Sequence, residues 1–214
     1  MNHTHAPPPD NGLDLIYRDE SIIVVNKPAG LLSVPGRGAN KMDSLTTRIQ
    51  KEFPDALSVH RLDMSTSGLI VLARGKEMHR RISAMFRERR VEKRYIAMVA
   101  GQMAATGEVD LPIGSDWENR PRQKVDFVIG KPSLTQYRLL AHDTETDASS
   151  VELKPVTGRT HQLRVHMAAI GHPIAGDALY GGSTSGRLML HACSLVFAHP
   201  LSGKMLTTVC EPPF

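Results

Sequence analysis

Short strand-like runs fill the second half of this chain and decide its fold class. They fall at 94–100, 123–129, 134–140, 149–155, 189–197 and 204–209, with turn-forming residues between them. Their spacing is too irregular for the strand–helix alternation of a doubly wound α/β sheet. The expected class is therefore α+β, a mixed and mostly antiparallel sheet with flanking helices. Two earlier runs fit the same sheet. SIIVV at 21–25 stops at Asn26-Lys27-Pro28, and GLIVLA at 68–73 reads as a core strand. Helical spacing appears in three places. Leu45, Ile49 and Phe53 repeat at i, i+4 and i+8, with Asp43 or Ser44 as cap and Pro54 as stop. Met78, Ile82, Met85 and Phe86 form a second stripe. Leu163, Met167 and Ile170 form a third, capped by Thr160 and closed by Gly171.

At 214 residues and 41% hydrophobic content, the chain can bury one sizeable core or two small lobes. The expectation is one functional domain over 13–214, after a flexible tail at 1–12 whose Pro7, Pro8, Pro9, Asp10, Asn11 and Gly12 offer turn chemistry and nothing to bury. No apolar run approaches the roughly 20 residues of a membrane span, and the first residues lack the layout of a secretory signal, so a cytoplasmic protein with no membrane contact is expected. Cys193 and Cys210 have no CxxC spacing and read as reduced thiols, Cys193 buried in a strand. The connection GGSTSG at 181–186 reads as flexible.

Net charge is only +4, but it is unevenly placed. Between Arg74 and Arg94 stand nine basic residues against three acidic ones, a local +6 that exceeds the whole chain's. Concentrated positive charge suits a polyanion, and Arg80 and Arg87 lie on the outward face of the second helical stripe. A solvated helix face would show the same charges.

The familiar chemistries find little support. His161 and His166 are five residues apart, about 140° around a helix, and cannot share a metal as an i, i+4 pair does; no metal site is expected. Gly36-Arg37-Gly38 lacks the lysine and hydroxyl of a phosphate loop, and no serine sits in GxSxG. What remains is HRLDMSTSGL at 60–69, a carboxylate flanked by His60 and Arg61 ahead of a core strand. An isolated HRLD would be a turn in which Asp63 pairs locally with Arg61. The longer string, however, resembles the signature of the RluA family of pseudouridine synthases. So do NKPAGLLSVPG at 26–36, KRYIAMV at 93–99, KPVTGRTHQLRVHMAAIGHPIAGDALYG at 154–181 and LHACSLVFAHP at 190–200, in the same order.

That resemblance implies the pseudouridine synthase catalytic fold with a central RNA-binding cleft, and an enzyme that isomerises specific uridines in structured RNA. It is strongest to stand-alone members known to act on both a large-subunit ribosomal RNA loop and a transfer RNA anticodon stem-loop. The reaction breaks the N1–C1′ bond, turns the uracil over and joins C5 to the same sugar, so no oxidant, metal or other cofactor is expected. A carboxylate can attack as a nucleophile or steady positive character at the sugar, and the resemblance gives that place to Asp63. Working in a dry pocket, it must stay ionised against desolvation. A cation about 4 Å away supplies about 4 kcal/mol at an effective dielectric near 20, and Arg164 is the candidate that the resemblance also implies. By the same resemblance Tyr95 packs on the target uracil and Arg61 helps to displace the nucleotide from its stack. Leu163 is expected to line the pocket. His60, Arg159, His161 and Gln162 are expected near RNA, and Lys27 and Arg37 to reach phosphate or to brace the cleft. RNA is the expected partner of a monomer needing no other protein. Two other readings stay open: an RNA-binding or RNA-folding factor with incidental catalysis, and a carboxylate glycosidase acting on nucleosides, for which no second acid is evident.

Overall fold

The computed structural model describes residues 6–182 and 186–214. The centre of the expected 181–186 connection and the first five residues of the expected tail lie outside them. The elements run β1 (Leu15–Arg18), β2 (Ile22–Lys27), α1 (Leu45–Gln50), β3 (Ala56–Ser58), β4 (Ser67–Arg74) and α2 (Gly75–Arg87). Next come β5 (Glu92–Ala100), β6 (Thr106–Asp110), β7 (Ile113–Ser115), β8 (Gln123–Val125), β9 (Leu134–Asp143), β10 (Ala148–Pro155) and α3 (Gln162–Ala169). β11 (Leu190–Ala198) and β12 (Met205–Val209) close the order. Two compact units result: the chain to Glu92 with Ala192–Pro213, and Lys93–His191 with Phe214. Each has its own buried core, so of the two arrangements the composition allowed, the chain takes the one with two small cores.

In the first unit the strands lie in the order β1-β2-β4-β11, with β3 on β4 and β12 on β11. Ile22 and Val24 of β2 and Leu69, Val71 and Ala73 of β4 share one core with Met78, Ile82 and Met85 of α2. Ile23, Val25, Ile70 and Leu72 point to the opposite face and are equally buried. A strand covered on both faces needs a continuous apolar run, which is what these segments carry. Gly68 sits at φ +112°, and a Cβ there would run into the backbone of Ala192 on β11, so the second position of β4 takes only a residue lacking one. Ser44 caps α1 in a reciprocal box with Thr47. The helix stops at Gln50, short of the expected Phe53, and the chain turns through Lys51 and Glu52. Residues 6–12 form no helix or strand, yet they are not loose. Arg48 donates to the carbonyls of Pro8 and Pro9, and Asp10 pairs with Lys51 at 3.0 Å.

The second unit orders its strands β5-β10-β9-β6, all antiparallel, with β7 and β8 as a separate pair. The expected strand at 123–129 ends at Val125 because Asp126 folds the chain back. α3 packs on β8, β9 and β10. Leu163 and Met167 are buried as the stripe requires, with Ile170 partly so. Gln162, Arg164 and His166 of the same helix are buried too. The cap is not Thr160 but His161, held in the left-handed conformation at φ 54°. Cys193 lies in β11 half-buried, and the amide of Cys210 donates to its carbonyl.

Candidate active site

Asp63 stands in the loop between β3 and β4 of the first unit, and its neighbours are pinned on both sides. Lys27, at the end of β2 and without solvent exposure, donates from Nζ to the carbonyls of Pro28 and Leu31 at 2.8 Å and of Met64 at 3.1 Å. The Gly30 amide donates to the same Met64 carbonyl. On the other side Ser33 Oγ donates to the Leu62 carbonyl at 2.7 Å and accepts from the Leu62 amide. The Thr66 amide closes the turn on the Asp63 carbonyl. A buried ammonium is costly unless its donors are satisfied, so Lys27 organises the segments around it. The NKPAGLLS segment thus acts as a cradle for the HRLDMST loop. Within that loop the His60 ring stacks on Phe86 of α2, with centroids 4.3 Å apart, and its Nε2 accepts from the Val71 amide. Asp63 is half-buried and Arg61 exposed.

In the second unit Arg164 of α3 makes a two-pronged ion pair with Asp177, Nε to Oδ2 and Nη2 to Oδ1 both at 2.7 Å, with both side chains almost fully buried. The guanidinium carbon lies 5.1 Å from the centre of the Tyr180 ring. The Tyr180 hydroxyl accepts from the Gln123 amide at 2.8 Å, leaving its own proton to donate to His161 Nδ1 at 2.7 Å. One buried chain plants the rest of the helix. Gln162 Nε2 donates to the Leu134 carbonyl and to Thr135 Oγ1, and Gln162 Oε1 accepts from Thr157 Oγ1 and the Arg159 amide. Thr135 can then donate to His166 Nδ1, while His166 Nε2 donates to the Leu111 carbonyl. Burial pushes His166 below its ordinary value and keeps the ring neutral. Tyr95, on β5 opposite Leu153 of β10, is half-buried against the same core.

The expected site residues therefore fall into two groups. Arg61, Arg80 and Arg87 are exposed, and Asp63, Tyr95, Arg159 and His161 are half-buried. Lys27, Leu163 and Gln162 are buried, the lysine and the glutamine fully engaged with protein groups. His60 is a brace. Lys27 Nζ and the Gln162 amide are met by protein groups inside their units, which for Lys27 is the bracing alternative, and the His60 ring is held by Phe86 and the Val71 amide. Asp177 and Tyr180 stand in the 154–181 string, where nothing in the neighbouring residues singles them out but glycine spacing: a Cβ on Gly176 would overlap the Arg187 carbonyl, and one on Gly182 that of Ile174, a close-packed turn built around Asp177. Along α2, Arg80 and Arg81 both pair with Glu77, and Arg81 also reaches the Pro200 carbonyl in the turn after β11. Among the described residues no group of histidine, cysteine or acidic side chains could hold a metal, and no helix is long and apolar enough to cross a membrane.

Comparisons with known proteins agree with one another. The family model described as RNA pseudouridylate synthase matches residues 21–169. The chain is 50% identical over 208 residues to the dual-specificity RNA pseudouridine synthase RluA of Escherichia coli K12, covering 95% of this chain and 94% of that protein. It is 45% identical to the RluA of Haemophilus ducreyi over 98% of both. Among solved structures, human RNA pseudouridylate synthase domain containing 1 superposes with a TM-score of 0.81 at 34% identity, covering 98% of this chain and 87% of that one. Human RNA pseudouridylate synthase domain containing 4 follows with a TM-score of 0.74 at 27% identity, covering 93% and 88%.

Proposed function

Because this chain belongs to the RNA pseudouridylate synthase family and is by that membership an isomerase, we propose how its residues divide the work of turning uridine into pseudouridine. Asp63 is the carboxylate that attacks or steadies the reacting nucleoside, and the reaction consumes no oxidant, reductant or outside group because its product is an isomer of its substrate. Support for this role comes from the loop itself: the peptides on both sides of Asp63 are fastened by Lys27, Gly30 and Ser33, while its own side chain keeps partial exposure. Fixing a reactive group before substrate arrives is what lowers the entropic part of a barrier. Arg61, exposed beside it, displaces the target nucleotide. Tyr95 holds the uracil, and Arg164, its orientation set by Asp177, serves the reaction as a fixed cation.

The proposed substrates are a large-subunit ribosomal RNA loop and a transfer RNA anticodon stem-loop, gripped in part by Arg80, Arg87, Arg159 and His161. The observation that carries this is half-identity, over nearly the full length of both chains, to relatives named for dual specificity. The protein is proposed to work in the cytoplasm as a monomer. The test is to incubate it, with EDTA and no nucleotide, with unmodified transfer RNA and large-subunit ribosomal RNA, and to map pseudouridine beside Asp63→Asn. The wild type should form pseudouridine in both RNAs, and the variant should bind them and form none. Turnover by the variant removes Asp63 from the chemistry; product in one RNA alone removes the dual specificity.

A further inference from the structure

Three consecutive large apolar residues, Phe127, Val128 and Ile129, stand 76%, 91% and 69% exposed in the turn that follows β8. Such a cluster costs solubility and marks a surface that something else covers. The turn is not a loose loop. Asp126 Oδ1 accepts from the amides of Val128 and Ile129 at 2.9 and 3.0 Å, and the Gly130 amide returns to the Asp126 carbonyl at 3.0 Å. These bonds hold the Asp126 carboxyl below the usual carboxylate range, so it stays ionised and fixed on the backbone. Gly130 admits no side chain, because a Cβ would overlap the Asp126 carbonyl. Lys131 then pairs back with Ile113 through two backbone bonds. The three side chains are thus presented by a rigid turn.

The turn is anchored to the start of α3 at both ends of its chain segment. Arg159 donates through Nε and Nη2 to the Pro132 carbonyl, directly after Lys131, and the Gln123 amide donates to the Tyr180 hydroxyl that also meets His161. Lys124 and Lys131 flank the apolar residues in sequence and are exposed, and the Arg159 guanidinium is held at the turn's end. Apolar side chains within a frame of cations match a ligand with flat, stackable faces and a phosphate backbone.

We propose that the turn Asp126–Gly130 is a second grip on single-stranded loop bases of the RNA substrate, with Phe127, Val128 and Ile129 packing on unstacked bases while Lys124, Lys131 and Arg159 take phosphates. This rests on the RNA-modifying function proposed above and adds a contact that function does not require. A second copy of the chain is the competing occupant.

The test compares wild type with Phe127→Ser/Val128→Ser/Ile129→Ser, positions exposed enough for the fold to tolerate the change. Binding to an unmodified anticodon stem-loop and to a fully paired duplex of equal length is titrated from 50 to 300 mM KCl. The triple variant should bind the stem-loop at least tenfold more weakly at every salt concentration, with an unchanged slope of log Kd against log salt, and bind the duplex as the wild type does. Apolar contacts release no counterions, whereas Lys124→Gln/Lys131→Gln should reduce the slope by about 1.5. Unchanged stem-loop affinity in the triple variant, or an equal loss on the duplex, overturns the proposal. So does a wild-type dimer in sedimentation that the triple variant abolishes, which would give the turn to a second copy. Binding is scored apart from turnover: a wild type whose binding depends on the Asp126–Gly130 turn but that forms no pseudouridine refutes the catalytic reading and leaves the grip standing.

Discussion

The buried pair of Arg164 and Asp177 makes a prediction that separates fold from chemistry. The two side chains share two 2.7 Å bonds, with 5% of the arginine side chain exposed and none of the aspartate's. Asp177→Asn turns one of those bonds into a contact between donors and leaves a buried guanidinium less compensated. Breaking a buried pair from one side costs about 3–5 kcal/mol. At roughly 2–4 °C per kcal/mol for a chain of this size, the melting temperature should fall by roughly 6–20 °C. Arg164→Met should cost a similar amount, because it strands the carboxylate. Removing both charges is different: apolar replacement of a whole buried pair is often neutral or better. Arg164→Met/Asp177→Leu should therefore melt closer to the wild type than either single variant, while pseudouridine formation stays lost with the arginine. Circular dichroism melts on the four proteins, with turnover on the same samples, make the cycle. If the double variant is no more stable than the worse single one, the two residues are not one energetic unit. If it recovers activity along with stability, Arg164 serves only the fold.

Three further outcomes follow from the same contacts. Since burial holds His166 below its ordinary 6.5, the unfolded chain takes up a proton there before the folded one does. The His166 contribution is therefore fully present above about pH 6.5 and declines as pH falls towards the folded-state value; urea midpoints at pH 7.5 and 5.5 should differ more in wild type than in His166→Gln, and equal differences would refute it. Lys27→Met leaves carbonyls of Pro28, Leu31 and Met64 short of a donor. It should cost at least about 2 kcal/mol and lower kcat more than it raises KM, and an unchanged kcat in folded protein would return Lys27 to a purely structural place. Arg80→Glu/Arg87→Glu should weaken RNA binding chiefly at low salt, and an affinity equal to wild type at 50 mM KCl would leave α2 a solvated face.

What could be seen in the sequence was whatever its own neighbours determine. The continuous apolar runs of β2 and β4 and the spacing of Met78, Ile82 and Met85 are local patterns, and burial follows them residue by residue. Two features depended on distant partners and stayed hidden, and a third was local but outweighed. His161 replaces Thr160 as the cap of α3 beside a hydroxyl 19 positions away, on Tyr180. Gln162 looked available to RNA because nothing nearby shows that Leu134, Thr135 and Thr157 will absorb its amide. The expected strand at 123–129 broke at Asp126, where an aspartate four residues before a glycine is a turn signal that the β-branched run outweighed.

The same division runs through the site. In HRLDMSTSGL, His60, Leu62 and Thr66 face the protein, their side chains or backbone spent on Phe86, Val71, Ser33 and the Asp63 carbonyl, while Arg61 and Asp63 keep exposure. A family string joins groups that touch substrate to groups that hold those groups still, and likeness of sequence weighs both alike. Burial and hydrogen-bond satisfaction distinguish them: a polar side chain whose donors and acceptors are all met inside the fold has little left to offer a ligand. By that measure Lys27 and Gln162 belong with the scaffold. Positioning residues should then lower kcat when replaced, and contact residues such as Arg61 should change RNA affinity, so the two groups are separable by kinetics as well as by geometry.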